Sequence, residues 1–173
     1  MNRAKIELAC GCLLGASIAL SAVHPWGNPR SGADSGAPLF QGSNVPENVR
    51  SVLEKKCGDC HSAKTHYPAY LRLAPVSWMI ERDVREGRSV FDMSRWQDYT
   101  PASRVSLLTR IGSESRSGEM PLKPYLVLHP GDRLNADERQ LIYDWAKAER
   151  KRIRQQLIGQ SEMPGLDSKM ERP

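Results

Sequence analysis

The chain opens with Arg3, Lys5 and Glu7 and then runs apolar from Leu8 to Val23. That run is shorter than the roughly 20 residues a membrane-spanning helix needs. Its small-residue end, Ala19-Leu20-Ser21, suits a signal peptidase, so residues 1–21 read as a signal peptide cut after Ser21, with an uncleaved anchor as the alternative. Between residues 22 and 44 the apolar period disappears. His24-Pro25-Trp26-Gly27-Asn28-Pro29 and the Ser, Gly and Ala that follow are turn formers, and the segment reads as a flexible linker. The period returns at Val45, where Val49, Val52 and Leu53 share a helical face ahead of Cys57. A long irregular loop holding Pro68 comes next. Beyond Pro75, Val76, Met79, Ile80 and Val84 have helical spacing, with Glu81/Arg85 and Arg82/Glu86 paired at i,i+4 and Gly87 as the stop. A third helix starts at Thr100 as N-cap with Pro101 first, carries Val105, Leu108 and Ile111 inward, and ends by Gly118. After a Met-Pro loop, Asn135 and Glu138 form a capping box for the last helix, with Leu141, Ile142, Trp145 and Ala148 as its inward stripe. Residues 159–173 are poor in apolar side chains and read as a disordered tail. The pattern predicts an all-α domain of about four short helices over residues 45–158.

Composition narrows the picture. A length of 173 residues fits one domain with extensions. Hydrophobic residues make up 39%, aromatics 6% with only two Phe, so the core is thin and multi-span membrane and collagen-like classes are excluded. The net charge of +5 favours an acidic partner or an anionic surface but is too small to argue for nucleic acid. The basic run Lys147, Arg150, Lys151, Arg152 and Arg154 could steer an acidic redox partner, touch a membrane peripherally, or form a solvated helix face. Cys10 and Cys12 read as small apolar residues of the leader, whose removal leaves Cys57 and Cys60. In an exported chain such a pair could form a disulfide, but the residue after it points elsewhere.

Cys57-Gly58-Asp59-Cys60-His61 has the Cys-x-x-Cys-His pattern of c-type haem attachment. The spacing lets one backbone turn carry two thiols to one porphyrin edge while the adjacent imidazole goes under the iron. A thioredoxin-like redox pair would want a strand-to-helix context, and zinc would need a second ligand pair. A buried haem also supplies the apolar surface this composition lacks. For the sixth iron position Met120, between Glu119 and Pro121, is the first candidate, since a loop thioether could cross the opposite face; the plain alternative is a gap-filling methionine. His129 ranks second. Met79 reads as helix core, Met93 as a weak rival, and His66 and His24 as poor candidates. The Pro68 and Pro75 segments could supply the carbonyl that orients His61. Tyr67, Tyr70, Trp78 and Trp96 suit either a porphyrin edge or ordinary core packing.

From Val45 to Glu149 the chain resembles the bacterial haem-binding domain family, small exported proteins with a cytochrome c-like haem motif. The resemblance is carried by Cys57 to Ser62, Thr65, Tyr67-Pro68, Tyr70, Ala74 to Trp78, Asp83 to Arg88, Ser94-Arg95-Trp96, Gly118 to Pro121, Tyr125, His129-Pro130 and Leu134 to Trp145. It implies an all-α, cytochrome c-like domain with one covalent haem c, Cys57 and Cys60 as thioether sites, His61 as proximal ligand and Met120 as distal ligand. Ala69 stands where the family commonly has Trp, and Phe91-Asp92-Met93 replaces its usual Asn-Phe pairing; loss of the Trp would open one haem edge.

The expectation is an exported, periplasmic monohaem cytochrome that shuttles single electrons and has no substrate site. The alternative is a haem peroxidase or a gas or redox sensor with an open or labile sixth position. Peroxidase chemistry would want a distal acid or base, for which Glu119 is the only near neighbour in sequence. A haem-stabilised binding module without turnover is the third class.

Overall fold

Side-chain caps at Thr100 and Asn135 set two of the helix starts, and the computed structural model, which describes residues 2–28, 38–66 and 72–161, is helical throughout its regular elements, with no strand among the described residues. The order is α1 (Arg3–Leu20), α2 (Glu47–His61), α3 (Val76–Val90), a 3-10 segment (Met93–Asp98), α4 (Pro101–Ser117), α5 (Lys123–Leu128), a short 3-10 turn (Pro130–Asp132) and α6 (Ala136–Ser161). The chain divides into two compact units. One takes in the described parts of Met1–Leu39 and Cys57–Ser94, the other those of Phe40–Lys56 and Arg95–Pro173, so the boundary falls inside α2 between Lys56 and Cys57.

In the second unit α4 packs on α6. The approach is close because Gly112 lacks a side chain: a Cβ there would sit 3.4 Å from that of Ala146 and 3.5 Å from the Tyr143 ring. Thr100 caps α4 by accepting from Ser103 N. Asn135 and Glu138 form the reciprocal box, Asn135 N donating to Glu138 Oε2 at 2.9 Å and Glu138 N to Asn135 Oδ1 at 2.8 Å. The core holds Val49, Leu53, Trp96, Leu108, Leu126, Leu134, Ile142, Trp145 and Ile153. Phe40, in the segment read from sequence as linker, is buried and packs on Trp96 and Trp145 at ring distances of 5.0 and 5.4 Å.

Of the expected inward stripe of α6, Ile142 and Trp145 are buried and Leu141 partly so, but Ala148 is exposed and Ala146 and Glu149 are buried in its place. Buried Glu149 is neutralised by Arg152 at 2.6 Å and accepts from Asn44 N. Arg150 donates to Thr109 Oγ1. Part of the basic run is therefore spent inside its own unit. Helix α6 also passes Gly159 and reaches Ser161; the rest of the expected tail lies outside the described residues.

In the first unit α3 does not stop at Gly87 but runs to Val90, and Phe91 N donates back to Gly87 O. Met79, expected in the core, is half exposed, and the buried face of α3 is Ser77, Glu81 and Val84. The loop expected to hold only Met120-Pro121 contains α5, with Pro124 in its first turn.

Candidate functional site

Cys57 and Cys60 are one turn apart near the end of α2, and His61 is its last residue. The i,i+3 spacing puts both thiols on one side of the helix. Neither is in a disulfide. The His61 ring is fixed twice by Phe91: Nδ1 donates to the Phe91 carbonyl at 3.1 Å, and the two rings stack at 4.5 Å and 20°. A carbonyl only accepts, so Nδ1 carries a proton, and in the neutral ring the lone pair is on Nε2. Metal-bound histidines are oriented in this way.

The turn that follows is braced to α3 and the segment after it. Ser62, buried, donates to Gly58 O and accepts from Lys64 N, which ends α2. Arg88 donates through Nε to Ser62 O at 2.9 Å and through Nη2 to Thr65 Oγ1 at 2.8 Å. Thr65 Oγ1 donates to Asp59 O, His66 N to Asp59 Oδ1, and Ala63 N to Ser94 Oγ. At Gly87 a Cβ would lie 2.8 Å from Cys60 O, so only glycine lets α3 approach the motif this closely. That close approach, and not helix termination, explains the residue.

Burial, then the charges of Asp59 and Asp83, push the Cys60 thiol up to about 12, against a smaller opposite pull from Arg88. It stays protonated at neutral pH. A redox-active cysteine works as the thiolate, and among the described residues no three His, Cys, Asp or Glu side chains are grouped to hold a metal ion. The donor set instead fits haem: two thiols on one turn and an imidazole with its lone pair fixed on Nε2.

Met120 belongs to the other unit, where Gly118 ends α4 at φ 78°. The N–H groups of Gly118, Glu119 and Met120 all donate to Glu114 O, which fixes the start of the loop. His129 lies in the same unit as Met120. Its Nδ1 donates to Tyr125 O at 3.2 Å, its ring stacks on Tyr125 at 4.2 Å, and Tyr125 O–H donates to Asp132. Met93 is completely buried.

Other expectations changed. The carbonyl that orients His61 comes from Phe91, not from the Pro75 segment, and Pro68 lies outside the described residues, as do Tyr67 and Tyr70. Trp78 donates to Val23 O. Trp96 is core, packed on Phe40 and Tyr99, and its buried Nε1 has no acceptor among the described residues. Phe91, Arg88, Ser94 and the role of Gly87 were missed by sequence reasoning. Only the Asp83–Arg88 and Ser94 resemblance hinted at them, because no local pattern links residue 61 to residue 91.

The family model described as a haem-binding domain matches residues 16–148. No curated protein and no solved structure matches the chain.

Proposed function

Because the chain belongs to the haem-binding domain family, we propose that it is an exported monohaem c-type cytochrome of cytochrome c-like fold that passes single electrons. The observation that carries this reading is the His61 ring, held by Phe91 with its lone pair on Nε2, beside two thiols on the same helical turn. Cys57 and Cys60 would hold the haem by thioethers, and His61 and Met120 would supply the nitrogen and sulfur donors to its iron. When bound, haem supplies a one-electron iron couple, whose potential a thioether ligand raises.

The rest of the work belongs to the chain. Phe91 keeps the imidazole from rotating, and Arg88 and Ser62 keep the motif turn from unwinding. Lys147, Lys151 and Arg154 are exposed on α6 and form the basic face for an acidic redox partner, whereas Arg150 and Arg152 are engaged by Thr109 and Glu149. A second reading places His129 on the iron. It is favoured by the same Nδ1-to-carbonyl bond and ring stacking that His61 shows.

The experiment is haem retention after acid and organic extraction of protein matured in a competent host. Wild type keeps its haem through the wash, and the Cys57→Ala/Cys60→Ala variant loses it; extractable haem in wild type would overturn covalent attachment. In the ferric protein, Met120→Ala abolishes the far-red band of methionine-bound iron if Met120 is the ligand. An unchanged spectrum in Met120→Ala together with a changed one in His129→Ala would install the second reading.

A further inference from the structure

The end of α1 is clasped to the unit that carries His61. Ser17 and Ser21 are one turn apart, and both serve a single residue just before α3: Ser17 Oγ donates to Ala74 O, and Ala74 N donates to Ser21 Oγ at 2.9 Å. Ala74 is buried, so its backbone groups depend on those hydroxyls, and leaving buried backbone groups unpaired is costly. The contact continues in register, Trp78 Nε1 donating to Val23 O at 2.8 Å and His24 Nδ1 meeting the buried Glu81 carboxylate at 2.6 Å. Residues 17–24 thus run alongside residues 74–81. Independently, the match to the haem-binding domain begins at residue 16, inside α1 and one residue before Ser17. A cut after Ser21 would remove both hydroxyls from Ala74.

The remainder of α1 has no buried residue. Leu8, Leu13, Leu14 and Ile18 are between 57% and 71% exposed and are distributed around the helix. A protein groove takes one apolar face; a helix apolar on all sides suits lipid. From Leu8 to Leu20 there is no charge, about 20 Å of helix at 1.5 Å per residue. No described helix is long and apolar enough to cross a membrane, but this one is long enough to enter one. Arg3 and Lys5 lie at its outer end, where cations meet anionic headgroups.

We propose that α1 is retained in the mature protein and enters a phospholipid bilayer, tethering the His61-bearing unit to the membrane through the clasp of Ser17 and Ser21 on Ala74. The proposal replaces removal of residues 1–21 and stands independently of the haem ligands.

The test is the intact mass of the full-length gene product, matured in a competent host and purified with detergent. The expected chain retains α1; a chain beginning at Ala22 overturns the proposal. The same spectrum shows the haem increment, so loss of haem and loss of α1 are read separately. Flotation with phosphatidylglycerol and phosphatidylethanolamine vesicles follows. The full chain floats at high salt, and Leu13→Asp/Leu14→Asp, whose positions are exposed and leave the fold intact by circular dichroism, lowers the bound fraction by about tenfold or more. Equal flotation of that variant, or none by the full chain, contradicts lipid insertion. Ser17→Ala/Ser21→Ala floats but unfolds at a lower temperature; an unchanged midpoint contradicts the clasp.

Discussion

His61 is oriented by a residue 30 positions away, and that distance separates what the sequence discloses from what it conceals. Cysteine and histidine spacing points to haem, the cofactor of the family the chain matches, because one turn of helix can carry two thiols and an imidazole. The carbonyl, the stacked ring and the Arg88 brace depend on how α3 returns, which no local pattern encodes. Gly87 shows the same limit: a mid-helix glycine reads as a stop until the 2.8 Å approach to Cys60 O is seen. Gly87→Ala should therefore cost about 1–3 kcal/mol, as overpacking against backbone does, and lower haem incorporation, measured by chemical denaturation and haem yield. With Met120 on the iron as proposed, Met120→Ala should lower the reduction potential, measured by spectroelectrochemical titration, because an iron that has lost the thioether favours the ferrous state less. For Cys60 the folded value is raised from an ordinary 9.0 to about 12. The unfolded chain then sheds its proton first, so the unhaemed protein should lose stability as pH rises from about 9 to about 12. Cys60→Ser cannot titrate there and should flatten that part of the profile relative to the parent.

At the scale of elements, starts were more legible than faces. Thr100 with Pro101, and Asn135 with Glu138, satisfy N–H groups that every helix start leaves exposed, and both starts occur where the sequence put them. Thr100→Ala should destabilise the protein by about 1 kcal/mol by thermal or urea melting, the usual worth of such a cap. Faces were harder. Met79 is half exposed and Ala148 exposed, because each helix face is chosen by its neighbours and not by spacing alone. Helix α5 escaped notice because a six-residue helix has too few positions to show a period.

For the whole molecule, the all-helical class and the thin core were both readable from composition and period. The apolar residues buried in the described part of the first unit are Leu39, Ala74, Val84, Phe91 and Met93, so this unit has little apolar core of its own. The Cys57→Ala/Cys60→Ala variant, unable to keep haem, should stay folded but melt at a lower temperature than the haem-loaded protein, followed by circular dichroism. The contacts of the N-terminal run were not readable: an apolar stretch behind basic residues reads as a removable leader, whereas the fold shows Ser17, Ser21 and His24 engaged with Ala74 and Glu81, the basis of the proposal that it is retained.

The most direct test of the account is the visible spectrum of the purified protein, oxidised and reduced, before and after carbon monoxide. The proposed ligation by both His61 and Met120 predicts a covalent haem spectrum whose ferrous form ignores carbon monoxide. Absence of a haem spectrum after competent maturation would contradict the haem assignment. A prompt shift with carbon monoxide would contradict the closed iron and move the function to sensing or catalysis.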